Sequence, residues 1–419
     1  MSAIILLVFL GAAVVAIPIA HALLIAAMAA VATTDQVPLD LLVQQMVAQV
    51  QSFPLIAIPF FMLTGSLMMG GRLGGALVGV LSALIGRFHG GPAQVGVLSS
   101  TLFGGVSGSA VADASAIGSL LIPWHKRLGY PPAFSAATLA AAATIDILIP
   151  PSIPMILFAL TSNASIASLF VAGILPGILM CGGFMAMCWW VGRRRNFPRD
   201  ITPIEWATFR KHLWYASPAL LLPVLIVVFL RFGIATPTEV AVLSTLYAAA
   251  VSAVFYRDLS WARLNDAVVH AGLATGVVLL VIMSSAAIGW LLTFDQMPSG
   301  VAAWITQNVG QPWVVILIMN LMMLFIGMFI DLPAAVLLLT PVFVPLAQSI
   351  GMDVVQLGIM MVVNLAVGLY TPPVGTTLFI TSALAKVKVG QTVRELGPFY
   401  LVAFLVLALV SYVPASILR

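Results

Sequence analysis

The chain has 419 residues, of which 62% are hydrophobic and only 7% charged, and its formal net charge is +4. Soluble domains carry roughly 25% charged residues, so the composition excludes an ordinary soluble protein and predicts an all-α polytopic protein in a lipid bilayer. The positive charge comes from Lys and Arg in loops, which orient a membrane protein and give no reason to expect a nucleic-acid partner. Cys181 and Cys188 lie in one apolar segment, and the sequence has no Cys/His cluster for a transition metal.

The first apolar run, residues 2–32, is longer than the ~20 residues that a membrane span requires. We predict one retained span with Pro18 as a tolerated kink, because no cleavage-like motif follows a short apolar core. The basic loops place the N-terminus inside and Asp295 outside. Residues 1–53 are therefore predicted to form a first span and an outer loop of a scaffold.

Two proline pairs, Pro150-Pro151 and Pro372-Pro373, interrupt apolar segments that are related by a fixed offset in numbering (372 − 150 = 222). Proline removes an amide donor and pushes the preceding residue out of the α region, so each pair breaks a helix. Inside a membrane, broken backbone is tolerated only beside protein or a watery cavity. Packing kinks would explain either pair alone, but a break repeated in register points to a transporter's binding site.

The same offset aligns further residues and predicts an internal duplication. It pairs Leu102, Phe103, Gly105 and Pro123 with Leu324, Phe325, Gly327 and Pro345. Repeat 1, residues 54–192, would contain an arm helix, an inner re-entrant hairpin at 92–123 and a broken helix at 134–161. Repeat 2, residues 268–416, would contain an arm helix, an outer hairpin at 312–345 and a broken helix at 357–384. Residues 193–267 would supply a cytoplasmic linker and scaffold spans.

Basic residues flank the inner hairpin, whereas no Lys or Arg flanks the outer one. By the positive-inside rule the two hairpins enter from opposite sides, as an inverted-topology repeat requires. The distribution of Lys and Arg over the remaining loops predicts that the C-terminus lies outside. Each hairpin tip is expected to meet the helix break of its own repeat near the middle of the membrane.

The tips and breaks carry small polar residues and few carboxylates. Asp331 lies at the outer tip, where an ionised group needs water, a cation or a partner; helix capping is the alternative. Ser107 and Ser109 flank the glycine of the inner tip, and their oxygens suit hard cations; close helix packing is the alternative. Asp113, further along that hairpin, is assigned to capping or pairing rather than to ligation.

We predict a cation at each hairpin–break pair and one solute site between them, with coupled affinities. The predicted cation-binding residues are Gly105, Ser107, Ser109, Thr144, Pro150, Gly327, Asp331, Asn364 and Thr371. The predicted substrate-binding residues are Ser107, Ser109, Asp146, Ser152, Asp331, Thr371, Gly375 and Thr376. The sequence contains no ATP-binding, zinc-hydrolase or nucleophilic-serine motif, so neither an enzyme nor an organic cofactor is expected.

These motifs resemble the DctM-like large membrane subunit of tripartite ATP-independent periplasmic (TRAP) transporters. The likeness includes LFGGVSGSAVADASAIGSLLIP (102–123), IPPSIPMILF (149–158), GMFIDLPAAVLLLTPVFVPLA (327–347) and NLAVGLYTPPVGTTLF (364–379). It implies a cation-driven, typically Na⁺-coupled importer of organic acids in a bacterial or archaeal cytoplasmic (inner) membrane. It also implies an elevator-type fold like that of the ion transporter superfamily. The implied partners are a separate small four-helix membrane subunit (DctQ-like) and an extracytoplasmic solute-binding protein (DctP-like).

One position departs from the family's pattern. Where the family commonly reads Thr-Ile-Gly-Pro, this chain reads Thr144-Ile145-Asp146-Ile147. The extra carboxylate either alters the cation site or the preferred substrate, or is paired locally. Other functions also stay open: a one-component Na⁺/carboxylate symporter of similar architecture, or a membrane enzyme or electron-transfer subunit. The last would need cofactor ligands that the five scattered histidines do not supply.

Overall fold

The computed structural model describes residues 1–15, 17–34, 37–69, 73–200, 205–309 and 311–414. Within these ranges every regular element is a helix. Five helices of the described chain are long and apolar enough to cross a membrane, or up to seven if each of two bent pairs counts as one span. The prediction of an all-α membrane protein is confirmed. Residues 201–204 of the predicted linker and the C-terminal end of repeat 2 lie outside the described ranges.

The helices follow one another with short connections, and their bounds define the labels used below. They are α1 (Ser2–Val14), α2 (Ile19–Thr34), α3 (Leu39–Val50), α4 (Ala57–Met69), α5 (Leu73–Ile85), α6 (Gly91–Ser107), α7 (Ala110–Arg127), α8 (Pro132–Ala142), α9 (Ile153–Ser162), α10 (Ile166–Arg194), α11 (Trp206–Arg231), α12 (Pro237–Ala250), α13 (Trp261–Phe294), α14 (Met297–Asn308), α15 (Pro312–Gly327), α16 (Leu332–Ser349), α17 (Val354–Gly368), α18 (Thr376–Ala385), α19 (Val389–Glu395) and α20 (Gly397–Tyr412).

Helix starts recur with the offset found in the sequence. The start of α16 follows that of α7 at this offset (332 − 110 = 222), and the start of α17 follows that of α8 at the same one (354 − 132 = 222). The helices after the two breaks, α9 and α18, come close to it (376 − 153 = 223). Proline and glycine positions fix where these helices can begin and end, so a repeated pattern of these residues yields a repeated series of helices.

Residues 2–34 form two helices that pack side by side, so the prediction of one first span is wrong. Pro18 lacks an amide donor, and the chain turns back there rather than continuing as a kinked helix. The hydroxyl of Thr34, at the end of α2, lies 3.7 Å from the sulfur of Met1, at the start of α1. At ~1.5 Å per residue, each helix alone is shorter than the ~30 Å apolar layer.

The returning N-terminus docks on the end of α13. The amide of Ser2 donates to Asp295 Oδ2 at 2.7 Å, and its hydroxyl donates to the same oxygen at 2.5 Å. The terminal ammonium lies 3.5 Å from that oxygen. The prediction that the N-terminus and Asp295 face opposite sides is therefore wrong, because the α1–α2 hairpin returns the terminus to the Asp295 end.

The basic loops of the two repeats meet one another. Lys126 Nζ donates to the Ala385 carbonyl at 2.6 Å, at the C-terminal end of α18. A positive charge at this end interacts favourably with the helix dipole. Arg195 pairs with Glu395 at 2.7 Å. Loops that the sequence assigned to one side of the membrane are thus joined by direct contacts.

Each hairpin packs on the helix that follows the other repeat's break. α7 packs against α18, and α16 packs against α9. Thr377 of α18 also donates to the Ala140 carbonyl of α8 at 3.1 Å. Helices α8, α9 and α17 are almost wholly buried, so the broken helices form the centre of the molecule and the hairpins flank them.

Candidate cation and solute site

The inner tip lies directly against the first helix break. Gly108, between α6 and α7, has φ +63°, a left-handed conformation that glycine adopts without strain. A β-carbon at this position would lie 2.6 Å from the Pro151 carbonyl oxygen. The tip and the break therefore touch at a point where only hydrogen fits.

The carboxylate of Asp146 caps the inner tip. Its Oδ1 accepts from the Gly108 amide and its Oδ2 from the Ser109 amide, each at 3.0 Å. The Ser109 amide lies at the N-cap of α7, where the helix dipole favours an anion. The Gly108 amide ends α6 and also donates to the Gly104 carbonyl at 3.3 Å. Gly104 makes room for this contact, because a β-carbon there would lie 2.5 Å from Asp146 Cα. The residue that departs from the family's pattern is thus paired locally and joins the first break to the inner tip.

Asp113 is a second buried carboxylate beside Asp146. Both residues are 0% exposed, and Asp113 is the charged group that acts on Asp146. Neither oxygen of Asp113 has a hydrogen-bond partner within the described ranges, and its polar neighbour is the Ser100 hydroxyl. Sequence reasoning assigned Asp113 to capping or pairing and did not place it beside Asp146. Its place in the first turn of α7 was the available signal.

The predicted hydroxyls of the inner pair make local hydrogen bonds. Ser109 accepts from the Ala112 amide at 3.5 Å and so caps α7. Ser152 caps α9 and donates to the Ile147 carbonyl at 2.5 Å. Thr144 donates to the Ala141 carbonyl at 2.7 Å. These contacts hold the first break in shape, while each hydroxyl oxygen retains a lone pair for a further partner.

Gly105 and Ser107 touch helices outside the hairpin. A β-carbon on Gly105 would lie 2.3 Å from Pro223 of α11 and 3.7 Å from the Pro150 carbonyl oxygen. A β-carbon on Gly65 of α4 would lie 3.2 Å from Ser107 Cα. The inner tip is therefore packed between the first break and two further helices, α4 and α11.

The outer tip meets the second break in a more open arrangement. The Val374 amide donates to the Met328 carbonyl at 3.2 Å. A β-carbon on Gly368 would lie 2.4 Å from the Gly327 carbonyl oxygen. Asp331 precedes α16, but its side chain makes no capping hydrogen bond and the residue is exposed.

A cavity of about 20 Å³ lies between the outer tip and the second break. Asp331, Gly327, Gly375 and Thr376 are among its lining residues. The Thr376 hydroxyl oxygen is buried and has no hydrogen-bond partner among the described residues. A space of this size holds one water or one small ion, and carboxylate, hydroxyl and carbonyl oxygens are the ligands that hard cations prefer.

Two residues predicted for this pair do not line that cavity. Asn364 donates to the carbonyl and the side-chain oxygen of Asn320, each at 2.9 Å, and so joins α17 to α15. Thr371, in the turn after α17, donates to the Val367 carbonyl of that helix at 2.6 Å. Gly375 does line the cavity, and its amide donates to the Thr371 carbonyl at 3.2 Å, closing the turn before α18.

Comparisons with known proteins agree with this architecture. A family model described as "Tripartite ATP-independent periplasmic transporter, DctM component" matches residues 5–416. The chain is 55% identical over 415 residues to the uncharacterized protein y4mL of Sinorhizobium fredii, and the match covers 99% of each chain. It is 36% identical over 412 residues to the 2,3-diketo-L-gulonate TRAP transporter large permease protein YiaN of Escherichia coli, covering 98% of this chain and 96% of that protein.

The fold also resembles that of a solved transporter. The YdaH transporter of Alcanivorax borkumensis matches with a TM-score of 0.60 over 87% of this chain and 86% of that chain. Only 17% of the aligned residues are identical, so the likeness concerns the fold.

Proposed function

Since this chain belongs to the DctM family of tripartite ATP-independent periplasmic transporters, whose members are large permease subunits, we propose that it imports an organic acid by cation symport. The resemblance read from the sequence motifs is confirmed by the family match over residues 5–416. The chain is a multi-pass membrane subunit of a transporter and not an enzyme. We place it in the bacterial inner membrane.

The outer hairpin–break pair carries the proposal. Its cavity of about 20 Å³ presents Asp331, whose side chain makes no capping hydrogen bond. A carboxylate at membrane depth is stabilised by a bound cation, and backbone carbonyls freed by the Pro372-Pro373 break complete an oxygen-rich site. Na⁺ suits such ligands, because hard cations prefer oxygen.

The inner pair would hold the second cation, next to Asp113 and Asp146. Two buried carboxylates repel each other, and burying such charges without compensation is costly. The groups that act on them are hydroxyls and amides, and none is Lys, Arg or His among the described residues. A cation between the two carboxylates would neutralise the pair and fasten the inner tip to the first break.

The solute's carboxylate would bind at the start of α18. This helix has ten residues, and Gly375 before it supplies no side-chain cap. The Thr377 amide donates to the Leu369 carbonyl at 3.0 Å, so the other amides of the first turn would receive the anion, and the Thr376 hydroxyl adds a donor. The substrate proposal of an organic acid is supported by the relative named for 2,3-diketo-L-gulonate, which is an acid of this class.

Alternating access would follow from an inverted-topology repeat with an elevator-type transport domain. Each hairpin packs on the helix after the other repeat's break, and the helix starts recur at offsets of 222 or 223 along the chain, which supports this arrangement. Inverted repeats place hairpins on opposite sides of a shared site. The proposed partners are a small DctQ-like membrane subunit and a DctP-like solute-binding protein, in line with the tripartite family.

Uptake in proteoliposomes tests the proposal. The chain and its small subunit are reconstituted, Na⁺ and proton gradients are imposed separately, and accumulation of labelled acids is measured with and without the binding protein. We expect accumulation that requires both the inward Na⁺ gradient and the binding protein. Accumulation without the binding protein would instead favour a one-component symporter, and the absence of cation-driven uptake would contradict the symport proposal.

A further inference from the structure

A groove runs along the first turns of α11, at the end of this helix that the basic linker before it assigns to the cytoplasmic side. Its volume is about 710 Å³, within the range of sites that hold small molecules. We name it the α11 groove and define it by the described residues that line it, which are Ala207, Arg210, Lys211, Leu213, Trp214 and Ser217.

One exposed face of α11 carries the groove and continues beyond it. The residues of this face follow one another at alternating intervals of three and four, which is the spacing of a single side of a helix. They are Ala207, Arg210, Trp214, Ser217, Leu221 and Val224, and all six are exposed. The opposite side packs on α5, where Ala216 is fully buried and the His212 ring lies over Gly79. The groove is therefore on the side of α11 that is turned away from α5.

The charged residues of α11 show at which depth the groove lies. No Asp, Glu, Lys or Arg occurs between Lys211 and Arg231. These two residues are 20 positions apart (231 − 211 = 20), or about 30 Å along a helix, which equals the thickness of the hydrocarbon layer. Trp214 packs on Phe255 with 5.5 Å between ring centroids, and such rings are typical of the membrane–water interface. Arg210 and Lys211 therefore lie at the level of the lipid headgroups.

The two cations of the groove are available to an external anion. Neither Arg210 nor Lys211 makes an ion pair or a side-chain hydrogen bond with any residue that the structure describes. The described lining residues include no Asp or Glu. A guanidinium can hold a phosphate through two parallel hydrogen bonds, and an ammonium adds a compact positive charge. This end of the groove is thus complementary to a phosphate group.

Beyond the cations, the same face is apolar over the depth of one leaflet. Trp214 and Val224 are ten residues apart, or about 15 Å along the helix, which is half of the hydrocarbon layer. Leu221 and Val224 are 47% and 55% exposed. A phosphate at one end and an apolar strip of this length match the headgroup and an acyl chain of a phospholipid, whereas a soluble phosphate would leave the strip without a partner.

We propose that the α11 groove binds an anionic phospholipid of the cytoplasmic leaflet, with its phosphate between Arg210 and Lys211 and an acyl chain along the strip that ends at Val224. The lipid neutralises the two cations and anchors α11 in the membrane. This helix also carries Pro223, which contacts Gly105 of the inner tip. The bound lipid therefore steadies a helix against which the inner hairpin packs.

Native mass spectrometry of the full chain, released from detergent micelles, tests the proposal. Phosphatidylglycerol and phosphatidylcholine with identical palmitoyl and oleoyl chains are added in turn, so that only the headgroup differs. Each basic residue near a membrane surface favours anionic lipid by about fivefold. With two such residues in the groove, we expect phosphatidylglycerol to bind at least about tenfold more tightly than phosphatidylcholine.

A pair of double variants tests whether the groove causes this preference. Arg210→Gln, Lys211→Gln removes both charges but keeps polar side chains, and it should lower phosphatidylglycerol binding to the level of phosphatidylcholine. The matched control is Arg193→Gln, Arg194→Gln at the end of α10, where two adjacent guanidinium groups lie over tryptophan rings. This control should leave the difference between the two lipids unchanged.

A second pair of variants changes the shape of the groove and keeps its charge. Ala207→Trp places a large ring among the lining residues and should weaken phosphatidylglycerol binding at least about tenfold. Thr208→Trp, at the next position of α11, is the control and should bind as the natural chain does, because Thr208 is not among the described lining residues. Both positions are exposed, and equal melting temperatures will show that both variants fold.

Three results would overturn the proposal. They are equal binding of the two lipids, a preference for phosphatidylglycerol that survives Arg210→Gln, Lys211→Gln, and an equal loss of preference in the α10 control. Loss of the bound lipid when the small membrane subunit is co-purified would also overturn it, because the face would then be a protein interface. None of these measurements depends on solute uptake, so failure of the symport proposal would leave the lipid site standing.

Discussion

The inner and outer hairpin–break pairs occupy equivalent positions in the repeat but place their carboxylates differently. Asp146 of the first break aligns with Gly368 of the second (146 + 222 = 368), and Asp331 of the outer tip aligns with Ser109 of the inner tip (331 − 222 = 109). Each pair thus has an acid where the other has a small residue. In the inner pair the break supplies the acid, and in the outer pair the tip does.

This exchange changes what each tip can do. Asp146 is fully buried and its two oxygens accept from the Gly108 and Ser109 amides. Asp331 is exposed beside a cavity and makes no capping hydrogen bond. The inner carboxylate therefore fastens the tip to the break even without the proposed second cation, whereas the outer one makes no capping hydrogen bond and is available to a cation alone. If the two pairs arose by duplication, the position of the acid was exchanged between tip and break while the arrangement of tip and break was kept.

The largest effect is expected when the outer acid is neutralised. Asp331→Asn should reduce cation-driven uptake at least about tenfold, because the outer cavity loses the charged ligand among its described lining residues while no capping hydrogen bond is lost. Uptake in proteoliposomes and the melting temperature are measured together. Asp40→Asn, in the first turn of α3, is the control. Unchanged uptake with unchanged sodium dependence would remove Asp331 from the site.

The inner acid should matter more for stability than the outer one. Asp146→Ala leaves the Ser109 amide without an acceptor, at about 1–3 kcal/mol, and leaves the Gly108 amide with only the Gly104 carbonyl at 3.3 Å; relief of repulsion from Asp113 offsets part of this. We expect a net loss of about 1–2 kcal/mol in the free energy of unfolding, a smaller loss for Asp146→Asn, and almost none for Asp331→Asn. Denaturant unfolding in detergent measures all three. Equal destabilisation by Asp146→Ala and Asp331→Asn would contradict this difference between the two carboxylates.

The inner turn should also depend on its glycine. Gly108→Ala places a β-carbon in a left-handed conformation, at about 1–2 kcal/mol, and brings it 2.6 Å from the Pro151 carbonyl. Gly272→Ala, in open surroundings on α13, is the control and should be neutral or slightly stabilising. The melting temperature reports the difference, and a Gly108→Ala protein as stable as the control would show that tip and break are not in contact.

The smallest effect is expected at the contact between Ser2 and Asp295, and it tests which side of the membrane the Asp295 end of α13 faces. Hydrogen bonds from the side chain and backbone of Ser2 hold the pKa of Asp295 below its ordinary value. A lowered pKa means that the contact stabilises docking at neutral pH and is lost as pH falls below about 4. Acidifying the outside of spheroplasts should therefore increase proteolysis of residues 2–34, and acidifying the inside should not. The reverse dependence would place Asp295 inside.

The recurring helix starts could be predicted from the sequence because prolines and glycines restrict the backbone locally. The breaks at Pro150 and Pro372 and the turn at Gly108 follow from residue type alone. The partnership of Asp113 with Asp146 could not be read, since it depends on how α7 packs against the first break. The α1–α2 hairpin was not predicted because Pro18 was interpreted as a kink within one span. The helices on either side, 13 and 16 residues long, are each too short to span the membrane.

The cavity of about 440 Å³ lined by Gln45, Gln49, Ser285 and Thr293 illustrates the same limit. The four-residue spacing of Ser285, Gly289 and Thr293 is visible in the sequence, but α13 is apolar over most of its length and reads as a simple span. Only the packing of α3, α9 and α16 around it turns this stripe into the wall of a cavity. The role of a polar residue on a membrane span can be assigned only when the helices that face it are known.

Membrane-side labelling of two equivalent positions tests the inverted repeat most directly. Arg127 ends α7 and Ser349 ends α16, one repeat apart (127 + 222 = 349), and both are exposed. Arg127→Cys and Ser349→Cys are treated with a membrane-impermeant maleimide in intact spheroplasts; the native cysteines are buried. Our account predicts that Ser349→Cys is labelled from outside and Arg127→Cys only after permeabilisation. Labelling of both positions from the same side would contradict it.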